Sequence, residues 1–529
     1  MSGRDRLARV AAYFGLAVAL TWPLALHPAA LLAGGARTDA PNALWNFWFV
    51  HEALARGALP MATEWLNHPV GGRIVVADPL NCLLAFPLVH LVGEVPAYAF
   101  LVVGHLCFAG LAAHALGVRL GGKGWVAGVG YASAPILLSH IHNGSSEAIS
   151  AGWLPLAAWA AVVAVERGGA GRAIRAGLAL AVCAIGGWYA GVGAFGFVAA
   201  LAVAGWRGVA RRDVFVRAGA AILVGAALAA PVALAVTSVA RAPDGLVEIK
   251  NAEDLARIRR TLGPADPRTF VLPGDFRAPD FATLPANPSD RVHTAYLGWT
   301  LLALAALHGR RAALWIALAG GLLIAMGPVL TVDGYPISLA GRGLPLPYLV
   351  VEDLPGFSSL SLLYRLATVS ALMLALLADR ARPLWALLVL FEVRALSPAR
   401  DLPAIGSPPV STAASTLGTL EAGAVINLPV SAGRNYLFEQ TLHQKPIAGS
   451  LNSGVNLAGL KVLHALRRLR VGEIDKPEAV AVAKTEGVRY VVLHKNVLMA
   501  EAFVAASTAV RTHWVPVAED ERLLVVALW

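Results

Sequence analysis

The chain is 529 residues long, 57% hydrophobic and only 14% charged, with a mean hydropathy of +0.63. A soluble domain carries about 25% charged residues, so most of this chain does not face water. A net charge of +10 would suit a nucleic-acid binder, but the arginines stand in short loops beside apolar runs and no basic stripe with interleaved aromatics occurs, which argues against nucleic acid as a partner. Cys82, Cys107 and Cys183 all lie in apolar stretches without metal-ligand spacing, so neither a zinc site nor a disulfide framework is implied.

The first apolar run, residues 8–32, follows Arg4, Arg6 and Arg9. It exceeds the roughly 7–15 residues of a signal-peptide core and reads as an uncleaved first helix with its N-terminus in the cytoplasm. Further candidate spans follow at 97–116, 125–139, 149–165, 178–187, 192–206, 218–239, 294–307, 312–330, 366–377 and 384–393. Arginines fill every second gap: Arg119 with Lys123, then Arg167, Arg172 and Arg175, then Arg207, Arg211, Arg212 and Arg217, then Arg310 and Arg311, then Arg380 and Arg382. Basic residues mark cytoplasmic loops. The expectation is a polytopic α-helical protein of the plasma or inner membrane, with about eleven transmembrane helices across residues 1–396. Residues 83–92, interrupted by Pro87, are too short to span and read as a helix on or dipping into the outer leaflet.

An odd number of spans puts residues 397–529 outside. Pro408-Pro409 reads as a linker. Strands are predicted at 424–428, 488–493 and 523–528, helices at 457–469 and 477–484, and a turn at Glu519-Asp520-Glu521. The tail is thus a small extracytoplasmic α/β domain.

Three outer loops, 34–79, 241–292 and 333–364, are longer than a helix connection requires. In the first, Leu44, Phe47, Val50 and Leu54 recur at helical spacing, and Trp45 and Trp48 suit the headgroup level. The stretch 43–56 reads either as a helix lying in the membrane interface or as one packed inside the loop domain. Asp39, just beyond the first span, is placed to act as a general base toward a hydroxyl or to hold a divalent cation beside a phosphate; alternatively it caps the helix that follows. In the cluster Ser139–Glu147, His140, His142 and Glu147 suit proton transfer or metal binding, and equally a polar helix turn. Asn143-Gly144-Ser145 matches the glycosylation sequon. Arg365 stands on the outer side against the basic-inside trend, fit to pair with a lipid phosphate, or with Glu352 or Asp353. Asp78 joins the site or caps a helix.

Taken in order, several segments resemble the GT-C superfamily of integral-membrane glycosyltransferases, specifically bacterial relatives of polyprenyl- or dolichyl-phosphate-mannose–protein mannosyltransferases. They are Thr38-Asp39 with Asn42-Ala43-Leu44-Trp45, Asn67-His68-Pro69 with Gly71-Gly72, Asp78-Pro79-Leu80-Asn81, Ser139-His140 through Trp153-Leu154-Pro155-Leu156, Leu346-Pro347-Tyr348 with Leu354 to Leu360, and Gly487 to Val492. The resemblance implies a lipid-linked sugar donor used on the outer face, a catalytic aspartate in the first outer loop, a juxtamembrane helix at 43–56 and a soluble tail that shapes acceptor binding. Asp39 matches that aspartate by position. Relatives often carry an acidic pair there, whereas Thr38-Asp39-Ala40 supplies one acid, with Glu147 as the candidate second.

The functional expectation is transfer of a sugar from a polyprenyl-phosphate donor to a glycan, lipid or protein acceptor at the outer membrane–water interface. Asp39 and Glu147 are the catalytic candidates, and Arg365, His140, His142, Asp78, Trp45 and Trp48 the substrate-binding candidates. The metal is left open, a divalent cation being one reading. A transporter or flippase would keep ionisable groups at mid-membrane, where only His105 and His114 stand; a non-catalytic envelope assembly protein is a third class.

Overall fold

Long alanine- and leucine-rich segments leave the backbone no alternative to helix in an apolar medium, because every N–H and C=O must find its partner within the segment. The computed structural model describes residues 3–36, 38–246, 252–278, 291–354, 356–395, 401–429, 433–449, 477–496 and 500–529. In chain order the membrane part comprises α1 (Gly3–Leu20), α2 (Ala40–Ala55), α3 (Pro79–Val92), α4 (Glu94–Arg119), α5 (Trp125–Ala132), α6 (Pro135–His142), α7 (Ser146–Ile149), α8 (Trp153–Arg167), α9 (Ala170–Gly186), α10 (Trp188–Ala204), α11 (Arg211–Arg241), α12 (Ala252–Arg260), α13 (Trp299–His308), α14 (Ala312–Ala325), α15 (Tyr348–Val351), α16 (Ala367–Ala378) and α17 (Trp385–Ala395). Among the described residues, α4, α11 and the stretch 146–167 are each long and apolar enough to cross a bilayer; several other apolar helices are shorter.

The centre of the bundle is α16, buried along its whole length and packed against α5, α13 and α14. The run at 125–139 is broken rather than continuous. Pro135 has no N–H to give and disfavours helical backbone at the residue before it. Ala134 is accordingly extended, so α5 ends at Ala132 and α6 starts afresh at Pro135. Two acids stabilise helix starts across the bundle. Asp379 accepts from the backbone of Gly124 (2.7 Å) and Ala127 (3.0 Å) at the head of α5. Glu392 accepts from Trp299 (2.6 Å) and Thr300 (2.8 Å) at the head of α13. Both meet unpaired N–H groups at the positive end of a helix dipole. His105 and His114 make structural hydrogen bonds, to Asn81 Oδ1 at 2.7 Å and to the Tyr13 hydroxyl at 3.0 Å.

The tail holds a four-stranded sheet in the order 516–519, 523–527, 488–494, 424–428, its last pair parallel and the others antiparallel. The strands expected at 424–428, 488–493 and 523–528 and the helix at 477–484 are present. The helix expected at 457–469 lies outside the described residues. Asp520 N–H donates to Leu523 O (3.0 Å), closing the predicted acidic turn. The sequence reading missed the edge strand Pro516–Glu519 and the helices α18 (Thr412–Thr419), α19 (Gly433–His443) and Ala500–His513.

The tail is sewn to the first outer loop. Leu32 and Ala33 pair antiparallel with Gly406 and Ile405, and α19 packs along α2. One apolar cluster runs without interruption from α2, α3 and α4 into Leu437, Tyr490 and Val525 of the tail. This corrects the interfacial reading of the stretch 43–56. Ten of the sixteen residues of α2 are buried, Trp45 fully, because α3 and α4 cover one side and α19 the other. Trp45 Nε1 donates to Gln440 Oε1 (2.8 Å), while Gln440 Nε2 donates to the carbonyls of Trp65 (2.6 Å) and Lys445 (3.0 Å). Gln440→Ala strands a buried donor and two acceptors and opens a void, which should cost about 3 kcal/mol. The expected result is a melting temperature several degrees lower for the purified protein; an unchanged melt would show that the tail joint does not depend on this amide.

Candidate functional site

The site is assembled where the turn after α6 sits on the start of α2. Asn143 is the fastener. Its carbonyl accepts from Asp39 N–H (2.9 Å), its side-chain NH2 donates to Val292 O (2.7 Å), and its Oδ1 accepts from Val292 N–H (2.9 Å). The sequon asparagine is therefore buried with its amide in use, and the folded chain does not offer it as a glycosylation acceptor. Gly144 has φ +68°, and a Cβ there would lie 2.1 Å from Ala40 N, so only glycine lets the turn come this close.

Asp39 precedes the first turn of α2 without making a side-chain cap, which removes the capping alternative. Its carboxylate instead receives Arg291 Nη2 at 2.8 Å. The pair keeps 26% of the Asp39 and 37% of the Arg291 side chain exposed, so it opens on water. Burial raises the Asp39 pKa above the ordinary carboxylate value, Arg291 opposes that rise, and Glu147 and Arg365 lie near enough for their charges to act on it as well. Glu147 forms an ion pair with Arg365, whose Nη2 also donates to Ser145 Oγ at 3.2 Å. Of the partners foreseen for Arg365, Glu352 is taken by Arg260 at 3.6 Å.

Arg365, Glu147 and His140 wall a small pocket with Thr368 and Tyr189. The Arg365 guanidinium lies 5.4 Å from the Tyr189 ring centroid. His140 Nδ1 is buried there without a hydrogen-bond partner. Gly187, between α9 and α10, closes the wall: a Cβ on it would lie 2.4 Å from Glu147 O. The neighbouring Trp188 Nε1 donates to Gly356 O (3.0 Å) and Ser359 Oγ (2.9 Å), and the Tyr189 hydroxyl accepts from Ser361 and Leu362 N–H. Residues 356–362 are thereby tied to the start of α10, a few residues ahead of Arg365.

The sequence reading missed the cations that complete the cluster. Arg277 Nη1 lies 2.7 Å from His293 Nε2, and its guanidinium sits 5.2 Å from the Tyr364 ring centroid. His293 is driven well below its ordinary pKa by burial first and then by Arg277, Arg291 and Arg365, so the ring is neutral beside a converging set of guanidinium groups. Arg277 and Arg291 carry the signal that singled out Arg365, a basic residue in an outer loop.

The remaining candidates fall elsewhere. Asp78 is fully buried at the head of α3, accepting from Asn81 N–H (3.0 Å) and Asn81 Nδ2 (2.6 Å); burial pushes its carboxyl up to about 7. It is the helix cap and does not reach the pocket. His142 is buried and its Nδ1 accepts from Ala404 N–H (3.1 Å), tying the turn to the tail. Trp45 and Trp48 lie inside the α2 packing, so the substrate contact expected of them is corrected with the interfacial helix. Among the described residues no group of three or more His, Cys, Asp or Glu forms a metal cage, and Asp39 and Glu147 each lie on a guanidinium.

Glu147→Ala leaves the Arg365 charge, 10% exposed, without its partner, and removal of one member of a buried pair costs about 3–5 kcal/mol. The expectation is a clear fall in melting temperature for that variant and partial recovery in Glu147→Ala/Arg365→Met, which removes both charges. Equal melts for the single variant and the parent would show the pair to be solvated.

No family model and no curated protein matches the chain. Solved structures do. The archaeal oligosaccharyltransferase AglB from Archaeoglobus fulgidus, in complex with an inhibitory peptide and a dolichol-phosphate, is similar at a TM-score of 0.56 over 97% of this chain and 73% of its own, with 12% identity. The arabinofuranosyltransferase AftD from Mycobacteria is similar at 0.58 over 100% of this chain, with 14% identity; the chain spans 42% of that protein's length. At such identities the likeness is one of fold.

Proposed function

From a fold shared with the GT-C membrane glycosyltransferases, we propose that this chain transfers a sugar from a polyprenyl-phosphate donor to an acceptor hydroxyl at the outer membrane–water interface. The observation that carries the reading is the meeting of one partly exposed carboxylate, Asp39, with Arg291, in a cluster where Arg365 acts on Asp39 and Arg277, Arg291 and Arg365 all act on His293. AglB, a fold neighbour, was solved with dolichol-phosphate, which lends support to a lipid phosphate as the ligand class. Eleven spans, a cytoplasmic N-terminus and an outward-facing tail complete the topology of this reading.

In the proposed reaction the acceptor oxygen attacks the anomeric carbon of the donor. Its proton passes to Asp39, the carbon–oxygen bond to the phosphate breaks, and the polyprenyl phosphate leaves with the electron pair. Arg365, Arg277 and Arg291 receive the charge that develops on the leaving group, as charge-assisted hydrogen bonds to phosphate do. A donor phosphate that takes Arg291 gives that guanidinium another anionic partner and releases the carboxylate as base. Glu147 keeps Arg365 aimed and charged.

Asp39→Asn removes the base and should lower transfer from a radiolabelled polyprenyl-phosphate sugar in proteoliposomes by about 10²–10⁴-fold, with insertion and melting unchanged. Full activity would take Asp39 out of the reaction, and substrate movement across the bilayer without transfer would favour a transporter.

The pH profile adds an independent check. A base works deprotonated, so activity should fall on the acid side with an inflection above the usual aspartate value, burial having raised it. Arg291 opposes that rise, so Arg291→Gln should move the acid limb to higher pH. A shift to lower pH would contradict the assignment.

A further inference from the structure

The outer loop that carries Asp39 also forms a groove at the opposite end of α2. Asp39, Asn42, Asn46, Phe49 and Ala53 recur at intervals of three and four residues, so the helix face that begins with the carboxylate ends in this groove. Phe49, the first groove residue along that face, stands about 15 Å from Asp39 along the helix axis. The far bank is the hairpin that pairs Ala62–Thr63 with Gly72–Arg73, joined by Asp244 from beyond the end of α11. The groove offers about 570 Å³, within the roughly 300–1,000 Å³ typical of small-ligand sites.

The walls are held in place. Trp65, partly exposed in the groove, is fixed from behind: its carbonyl accepts from Gln440 Nε2 (2.6 Å) and from Ile447 N–H (2.8 Å), and its ring meets that of Trp48 edge-on at 5.2 Å. Arg56 pairs with Glu52 (2.8 Å) and lies 5.5 Å from the Trp65 ring centroid, while Arg73 pairs with Asp244 (3.2 Å). The two arginine side chains are 59% and 56% exposed, so both pairs are open to a ligand. Leu59 and Val70 add exposed apolar surface. With Glu64, three acids stand against two arginines in the lining, which leaves the groove almost without net charge.

We propose that this groove binds a neutral oligosaccharide. The inference rests on the sugar-transfer reading above and names its acceptor class: the bound oligosaccharide is the part of a glycan acceptor that lies beyond the reacting sugar. A carboxylate only accepts hydrogen bonds and a guanidinium only donates them, whereas a hydroxyl does both at one atom. A sugar hydroxyl therefore fits between the members of Glu52–Arg56 or Arg73–Asp244, where a phosphate or an ammonium group would be attracted by one member and repelled by the other. The C–H faces of a sugar ring are apolar and suit the Trp65 ring, Leu59 and Val70. Binding energy from a remote part of a substrate can be used to orient the reacting bond, which gives a groove about 15 Å from Asp39 a use in the reaction.

The test is isothermal titration of the full detergent-purified chain, without donor, with mannohexaose, arabinohexaose and maltohexaose, and with hexagalacturonate and hexaglycine as acidic and peptide contrasts. The parent should bind at least one neutral hexamer about tenfold tighter than either contrast. Trp65→Ala should weaken that binding about tenfold or more. Arg56→Ala/Glu64→Ala changes two exposed side chains, so its reading does not depend on the Trp65 variant folding, and it should weaken binding about tenfold. Asp39→Asn should bind the hexamer as the parent does, since the carboxylate lies outside the groove. The proposal is overturned if no neutral hexamer is preferred, if Arg56→Ala/Glu64→Ala binds as the parent does, or if Asp39→Asn loses the binding. A parent that binds the glycan in this way and transfers no sugar would refute the transfer reading and leave the oligosaccharide groove standing.

Discussion

Asn143 is the constraint on which the site depends. Its single side chain and carbonyl tie three segments that are remote in sequence: the turn after α6, the start of α2, and the strand of chain leading to α13. Asp39 and Arg291 are 252 residues apart and meet because each flanks a bond made by Asn143. A hydrophobic core sets helix positions to within a side-chain rotamer. A carboxylate and a guanidinium at hydrogen-bond distance need the finer adjustment that directional bonds give. The absence of a Cβ at Gly144 is part of the same device, since it decides how deep the turn can sit.

A second principle concerns where the fold spends charge. Asp379, Glu392 and Asp78 are acids in apolar surroundings, and each lies against N–H groups at a helix start. Such a carboxylate serves structure, because its lone pairs are fully engaged. Asp39 stands at a helix start too, yet its side chain turns from the backbone toward Arg291 and water. The contrast separates the acid able to take part in chemistry from those that hold helices in place.

Much of this was legible in the sequence, for physical reasons that also mark the boundary of legibility. Apolar runs and arginine spacing report the solvent along the chain, so the membrane class, the tight Trp188-Tyr189 turn and the strands of the tail follow directly. Asp39, Glu147, His140 and Arg365 stood out in the sequence because ionisable groups are costly at the edge of an apolar span. Arg277 and Arg291 carried the same signal but sat in a loop where charge is unremarkable. Trp45 and Trp48 misled, because an amphipathic stripe beside a membrane has the same pattern whether lipid or protein covers it. The deciding fact was α19, a helix 395 residues away from Trp45 by the Gln440 bond, which local periodicity cannot register.

The burial of α2 gives the tail a mechanical role in the site. Asp39 stands at the N-terminal end of α2, while α19, through Gln440, grips its middle at Trp45. On the other flank Ala404 N–H reaches His142, one residue from Asn143, and Gly34 N–H reaches Ala404 O (2.8 Å). The tail therefore holds both sides of the Asn143 fastener: the helix that carries the carboxylate and the turn that orients it. A sheet domain that only covered the membrane part would not need bonds at these two places. Because it makes them, any displacement of the tail bears directly on the distance between Asp39 and the guanidinium of Arg291.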